Sequence, residues 1–101
     1  MRPRKPKSKE YVLRLYIAGA TPKSMRAVAN MKEICRVKLK DRYDLEVIDI
    51  YQQPALAKGE QVIAAPTLIK KLPLPLRKFI GDMSDTERIL VGLDLSPKLQ
   101  D

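Results

Sequence analysis

The stretch PTLIKKLPLPLRKFI, residues 66–80, decides the fold because it has two short β-forming runs with prolines between them. The runs are residues 67–72 and 76–80, and Pro-Leu-Pro connects them. Proline cannot donate a backbone hydrogen bond to a strand ladder, so Pro73 and Pro75 must lie outside both strands. The stretch therefore predicts an antiparallel hairpin with a stiff connection, and Pro66 stands directly before its first strand.

A strand, a helix and a second strand precede this hairpin. Residues 11–18 (YVLRLYIA) are almost all β-forming, which is typical of a central strand covered on both faces. Thr21 and Pro22 form a helix start, and apolar residues then recur at spacings of three and four, which predicts an amphipathic helix of about four turns. The apolar stripe of this helix is Met25, Val28, Met31, Cys35 and Leu39. Residues 43–51 (YDLEVIDIY) alternate acidic and apolar residues in their first half, as at a sheet edge.

Two further helices complete the predicted order. Pro54 suits the start of a second helix, which Gly59 weakens, so we expect that helix to be short. Ser84 and Glu87 have the spacing of a capping box and predict a last helix. The order β-α-β-α-β-β-α predicts a single α/β domain of thioredoxin-like architecture with a mixed four-stranded sheet. We assign residues 11–95 to it, between a basic tail at 1–10 and a short tail at 96–101.

The segment ILVGLDL, residues 89–95, gives conflicting signals. The capping box favours a helix, whereas β-branched residues, Gly92 and the Leu-Asp-Leu alternation favour a strand. Such a conflict is expected where two structures lie close in free energy.

The charge and composition limit the possible classes of function. The chain has 101 residues and a net charge of +8, half of which lies in residues 1–10; we take the rest to be spread along the chain. One Phe and no Trp leave few aromatic residues to stack on bases, so a basic nucleic-acid-binding domain is only the alternative interpretation. No apolar run is long enough to span a membrane, and a single cysteine fits a reducing compartment, so we expect a cytoplasmic protein.

The residue types needed for catalysis are missing from the expected places. Thioredoxin-like oxidoreductases have redox cysteines at the turn into the first helix, but here that turn reads AGATPKSM, residues 18–25. The sequence has no histidine and no glycine-rich phosphate-binding motif. Cys35 lies on the apolar stripe, which indicates a packed core thiol. We therefore predict a protein that is not an enzyme and uses no cofactor.

Four stretches resemble the KaiB family of circadian clock proteins. They are LYIAGATPKSMRA (15–27), YDLEVIDIYQQPALA (43–57), IAAPTLIKKLPLPLRKFIGDMSD (63–85) and RILVGLDL (88–95). The resemblance implies a non-enzymatic protein that docks onto the ATPase ring of the hexameric kinase KaiC and follows its phosphorylation cycle. It also implies engagement of a sensor histidine kinase, a homo-oligomeric ground state (dimer or tetramer), and a fold whose C-terminal half rearranges. That rearranged ground-state fold is the alternative to the thioredoxin-like one.

The resemblance also implies roles for particular residues. The KaiC-binding positions are Tyr51, Pro54, Leu56, Lys58, Arg26, Lys70 and Lys78. The positions that bias the fold switch are Tyr11, Gly92 and Asp94. We add Pro66, Pro73 and Pro75 as candidate timing residues, since isomerisation of an X-Pro bond takes tens of seconds or longer.

Some residues depart from the family pattern. Cyanobacterial members read YALKV where this chain reads YDLEV, and this edge strand contacts KaiA in the family. Asp44 and Glu46 therefore argue against KaiA binding. Ala20 and Lys23 also replace usual residues of the first turn. We interpret the chain as a divergent member that acts in a simpler timer or in a stress response.

Overall fold

Four strands form one sheet with helices against both of its faces, and the predicted order of elements is confirmed. The computed structural model describes residues 10–62 and 65–95; the predicted tails lie outside them, apart from Glu10. In chain order the elements are β1 (Tyr11–Ile17), α1 (Pro22–Ile34) with a π-helical continuation (Cys35–Leu39), β2 (Tyr43–Asp49), α2 (Pro54–Gly59), β3 (Thr67–Leu72), β4 (Arg77–Ile80) and α3 (Thr86–Gly92). None of the helices within the described residues is long and apolar enough to cross a membrane.

The sheet is mixed, with the strand order β2-β1-β3-β4. β1 runs parallel to β2, with Tyr11 opposite Tyr43, and antiparallel to β3, with Leu15 opposite Leu68. β3 and β4 form the predicted antiparallel hairpin. β1 is thus central and β2 is an edge, as their apolar and alternating sequences predict. Pro73 and Pro75 lie outside both hairpin strands, and the peptide bonds before Pro66, Pro73 and Pro75 are cis.

The period-two alternation of β1 divides the core into two layers. Leu13 and Leu15 face α1 and α3 and belong to the larger apolar cluster, which includes Met31 of α1 and Leu90 of α3. Tyr16 faces the other way, into a smaller cluster with residues of β2, α2 and β3. The sheet therefore has α1 and α3 on one face and the short α2 on the other.

The buried face of α1 differs from the predicted stripe. The cap is as predicted, because Thr21 Oγ1 accepts a hydrogen bond of 3.1 Å from the backbone N–H of Ser24. Met25, however, is 43% exposed, and the prediction that it is buried is wrong. The buried face starts at Ser24, whose Oγ accepts a 3.4 Å hydrogen bond from the Ala18 N–H. The rest of the predicted stripe is confirmed, since Met31, Cys35 and Leu39 are buried and Val28 is partly buried against the same core.

The start of α3 also corrects the sequence analysis. Asp85, not Ser84, is the cap, since its Oδ1 accepts a 3.2 Å hydrogen bond from the backbone N–H of Arg88. The Ser84 N–H instead donates to Asp82 Oδ1 at 3.0 Å. The ambiguous segment is helical up to Gly92, and Asp94 follows with a left-handed φ of 61°.

Candidate functional site

Five of the residues implied to bind a partner lie on the α2 side of the sheet. Tyr51 is 73% exposed and lies three residues before the start of α2, and its backbone N–H donates to Asp49 Oδ1 at 2.9 Å. Within α2, Leu56 is 44% exposed. We call this region the α2 surface; it consists of Tyr51, Pro54, Leu56, Lys58 and Lys78, all of which are exposed.

Lys78 joins β4 to the end of α2. Its Nζ donates a 3.0 Å hydrogen bond to the backbone carbonyl of Glu60, the residue after the helix. The carboxylate of Glu60 in turn forms an ion pair of 2.6 Å with Lys71 Nζ of β3. These contacts fix the short helix above the hairpin although only Ala57 of the helix is buried.

A groove of about 300 Å³ lies between α2 and the sheet, lined by both charged and apolar residues. Its charged side chains are paired, because Arg14 Nε lies 3.1 Å from Glu46 Oε1 and Lys71 is bound to Glu60. Burial raises the pKa of Tyr16 in this groove, and the negative charge of Glu60 raises it further. The groove therefore presents balanced charge rather than a field of one sign.

Arg26 lies apart from the α2 surface, on the other face of the sheet. Its Nε is 3.3 Å from Asp82 Oδ2, and Asn30 Nδ2 donates to the Asp82 carbonyl at 2.8 Å. Hydrogen bonds from Ser84, followed by that from Arg26, lower the pKa of Asp82. These contacts join α1 to the loop that precedes α3, and the Arg26 side chain is still 59% exposed.

Lys70 is not on the accessible surface in this fold, unlike the other residues implied to bind a partner, and its role in binding stays a prediction. It points to the α1 and α3 side of β3 and its side chain is 0% exposed. Its Nζ has no hydrogen-bond partner among the described residues, and the nearest anion is Asp94 Oδ2 at 3.7 Å. In this fold the side chain of Lys70 is therefore inaccessible to a partner.

The residues implied in fold switching converge where the end of α3 meets the sheet. The hydroxyl of Tyr11 donates a buried 3.0 Å hydrogen bond to the carbonyl of Leu93, and burial raises the pKa of Tyr11. Lys70 lies beside Asp94 at the same helix end. We call this cluster the α3 seam; it consists of Tyr11, Lys70, Phe79, Gly92, Leu93 and Asp94.

Phe79 belongs to this seam, and the sequence analysis missed it. A Cβ placed on Gly92 would overlap the Cζ and Cε2 atoms of the Phe79 ring. Gly92 is therefore needed for close packing of α3 on β4, which explains a glycine inside a helix at a cost of about 1 kcal/mol relative to alanine. Phe79 is 5% exposed and the adjacent Ile80 57% exposed, a difference between two neighbouring apolar residues that the sequence alone does not reveal.

The core thiol is chemically protected. Cys35 is 0% exposed, and burial raises the pKa of its thiol to about 12. A thiol with such a pKa supplies almost no thiolate at neutral pH. Among the described residues there is also no group of three or more His, Cys, Asp or Glu side chains that could hold a metal ion.

Comparison with known proteins identifies the family. Residues 14–95 match the model of the KaiB domain. The chain belongs to the KaiB family. It is 53% identical over 87 residues to the circadian clock oscillator protein KaiB of Prochlorococcus marinus subsp. pastoris, covering 86% of this chain and 81% of that protein. It is 51% identical over 87 residues to the circadian clock protein KaiB3 of Synechocystis, covering 86% and 85%.

Solved structures confirm the thioredoxin-like fold. The N-terminal domain of Synechococcus elongatus SasA superposes with a TM-score of 0.69 at 22% identity, covering 99% of this chain and 97% of that one. The thioredoxin Deadhead of Drosophila gives a TM-score of 0.68 at 15% identity, covering 85% and 80%. The fold is therefore shared with thioredoxins, while the sequence of the KaiB-family chain has no cysteine in the turn that precedes α1.

Proposed function

We propose that this KaiB-family chain is a non-enzymatic regulatory protein that binds the KaiC hexamer and modulates its phosphorylation cycle. The observation that supports the proposal best is the α2 surface. It combines two exposed anchors, Tyr51 and Leu56, with two exposed cations, Lys58 and Lys78.

The composition of this surface suits a protein partner. Tyrosine is enriched among the residues that dominate binding energy, and such anchors are surrounded by a polar rim. Tyr51 and Leu56 are 73% and 44% exposed. A partner that covers the exposed part of these two side chains would gain apolar burial.

The α3 seam supports a slow change of fold as part of this function. A buried cation whose hydrogen-bonding capacity is unmet is costly, and among the described residues Lys70 has a 3.7 Å ion pair with Asp94 but no hydrogen-bond partner. Such a group destabilises the fold that contains it, so the free-energy difference between that fold and an alternative fold is smaller. We propose that release of the seam accompanies conversion to a second, homo-oligomeric state.

The remaining expectations follow family membership. A sensor histidine kinase is a further expected partner, and the cytoplasm is the expected compartment. The acidic Asp44 and Glu46 lie on the exposed edge strand β2, where Arg14 offsets only part of their charge. We therefore expect no KaiA binding.

Binding to the cognate KaiC hexamer, measured by biolayer interferometry in the presence of nucleotide, tests the proposal. Tyr51→Ala and Leu56→Ala should each weaken binding by about tenfold or more, as expected for anchor residues. Met25→Ala and Val91→Ala remove apolar side chains that are 43% and 60% exposed, from α1 and α3, and serve as matched controls. Absence of any complex over hours of incubation, or an equal loss in all four variants, would contradict it.

A further inference from the structure

The connection between β3 and β4 exposes three leucines within five residues. Leu72, Leu74 and Leu76 are 47%, 72% and 48% exposed. The prolines between them add apolar surface, since Pro75 is exposed and Pro73 is partly exposed. A single exposed leucine is ordinary, whereas adjacent exposed apolar side chains form a patch that marks an interaction site. We call residues 72–76 the hairpin tip.

The hairpin tip lies at the end of the sheet where β1 begins, because Leu72 pairs with Val12. Tyr51, the most exposed anchor of the α2 surface, lies near the opposite end. It follows Asp49, the last residue of β2, which pairs with Ile17 at the end of β1. A partner that contacts the tip therefore leaves Tyr51 free.

Basic residues flank the hairpin tip without acidic neighbours in the sequence. Residues 61–81 contain four Lys/Arg and no Asp/Glu, so the positive charge outside the N-terminal tail is not spread evenly along the chain as the sequence analysis assumed. Arg77, the first residue of β4, is exposed and forms no ion pair with any described residue. Lys78 is also exposed, and its Nζ donates to a neutral backbone carbonyl. The tip thus combines apolar side chains with adjacent cations, which fits an anionic surface.

The backbone of the hairpin tip suits an apolar environment. A loop that enters lipid must leave few backbone donors unpaired, because water does not replace their partners there. Pro73 and Pro75 have no N–H, so Leu74 is the one residue between Leu72 and Leu76 with a backbone donor. The prolines therefore lower the cost of placing this connection in lipid.

We propose that the hairpin tip inserts into the interface of an anionic lipid bilayer, with Arg77 and Lys78 beside the headgroups. Such binding gains from apolar area placed among the acyl chains and from cations attracted to anionic lipids. The tip does not match a protein-binding surface, because leucine is under-represented among the residues that dominate protein binding and residues 67–78 contain no aromatic side chain. A loop that inserts at the membrane surface needs no apolar run long enough to span the bilayer.

Tryptophan fluorescence tests the insertion directly, because the chain has no tryptophan of its own. Leu74→Trp places one in the hairpin tip, and Val91→Trp places one at a 60% exposed position of α3 as the matched control. With vesicles of phosphatidylcholine and phosphatidylglycerol in equal amounts, the emission of Leu74→Trp should shift to the blue. Lipids brominated in their acyl chains should quench it, whereas the emission of Val91→Trp should not change.

Cosedimentation with the same vesicles measures the affinity. Leu74→Ser should weaken binding by about tenfold, because it removes an exposed leucine that would enter lipid, and Val91→Ser should not weaken it. Arg77→Gln should weaken binding by about fivefold, the effect of one cation at an anionic membrane surface. Lys23→Gln removes an exposed, unpaired cation near the opposite end of the sheet and should have a smaller effect. The five Lys/Arg of residues 1–9 are the same in every variant, so their attraction to the vesicles cancels in these comparisons.

Several results would overturn the proposal. One is no binding to the mixed vesicles at low salt, and another is equal binding to vesicles of phosphatidylcholine alone. Binding without a blue shift in Leu74→Trp would show adsorption by charge only. Dissociation of a homo-oligomer by Leu74→Ser in sedimentation equilibrium would assign the tip to a second copy of the chain. Leu74→Ser should bind the KaiC hexamer like the native chain, which keeps this test separate from that of the proposed function; a loss there would assign the tip to the KaiC interface.

Discussion

The Tyr11 hydroxyl lies 3.0 Å from the Leu93 carbonyl oxygen, so a hydrogen bond joins the first residue of the central strand to the end of the last helix. The two residues are 82 positions apart in the chain. Because the contact is buried, neither group has water as a substitute partner when the other is removed.

Removal of this hydroxyl tests how much the α3 seam contributes to stability. Tyr11→Phe leaves the Leu93 carbonyl buried without its donor and should lower the free energy of unfolding by about 1–3 kcal/mol. Tyr51→Phe is the matched control, since that ring is 73% exposed, and it should change stability by less than about 0.5 kcal/mol. Urea denaturation followed by circular dichroism measures both. Equal effects of the two variants would show that the hydrogen bond is not formed in solution.

A substitution of Lys70, in contrast, should raise the free energy of unfolding. Lys70→Met keeps the volume of the side chain but removes a buried cation without a hydrogen-bond partner. The partner left behind, Asp94, has a side chain that is 66% exposed and stays solvated. The variant should therefore raise the free energy of unfolding by about 1–3 kcal/mol.

The neighbouring lysine is the control for that variant. Lys71 is only half-buried and forms a 2.6 Å ion pair with Glu60, so Lys71→Met should be neutral or destabilising. Chemical denaturation of the two variants side by side provides the comparison. If Lys70→Met instead lowers the free energy of unfolding by more than about 1 kcal/mol, the ammonium makes interactions in solution that this fold does not contain.

The sequence predicts the overall fold better than it predicts the contacts of the α3 seam. The order of elements, the central place of β1 and the edge position of β2 followed from local patterns: continuous β-formers in β1, alternation in β2 and prolines around the hairpin. The cap at Asp85 was missed because Ser84 and Asp85 are both good capping residues and only the loop geometry around Asp82 decides between them.

The burial of Lys70 and the role of Phe79 depend on tertiary contacts. A lysine in a β-strand next to another lysine gives no sign that one of the two is buried, because the face of a strand is set by its register with its neighbours. In the sequence, Gly92 only lowers the helix propensity of α3. Its structural reason is the Phe79 ring that packs against it, a contact between two separate elements of the chain.

A double-mutant cycle measures that contact. Gly92→Ala gains helix propensity of about 1 kcal/mol but forces the Phe79 ring to move, which costs about 1–3 kcal/mol. In a Phe79→Leu background the smaller side chain leaves more room, so Gly92→Ala should be more favourable there by about 1 kcal/mol or more. Denaturant midpoints of the four proteins provide the coupling energy. A coupling near zero would show that the ring does not pack on Gly92 in solution.

The buried thiol predicts a loss of stability at alkaline pH. The pKa of Cys35 is raised from its ordinary value of 9.0 to about 12, so the unfolded chain releases this proton at a lower pH than the folded one. Stability is therefore fully present below about pH 9 and falls as the pH rises towards 12, by at most about 1.4 kcal/mol per pH unit from this group. Cys35→Ala should flatten the decline in stability between pH 9 and 12, although the raised pKa values of Tyr11 and Tyr16 should leave part of the decline in place.

The burial of Cys35 also predicts slow chemical labelling of its thiol. In the native protein at pH 8 a disulfide reagent such as dithiobis(nitrobenzoate) should react with Cys35 only as fast as the chain opens, whereas in urea it should react at once. Rapid labelling of the native thiol would show that the face of α1 buried here is exposed in the solution state.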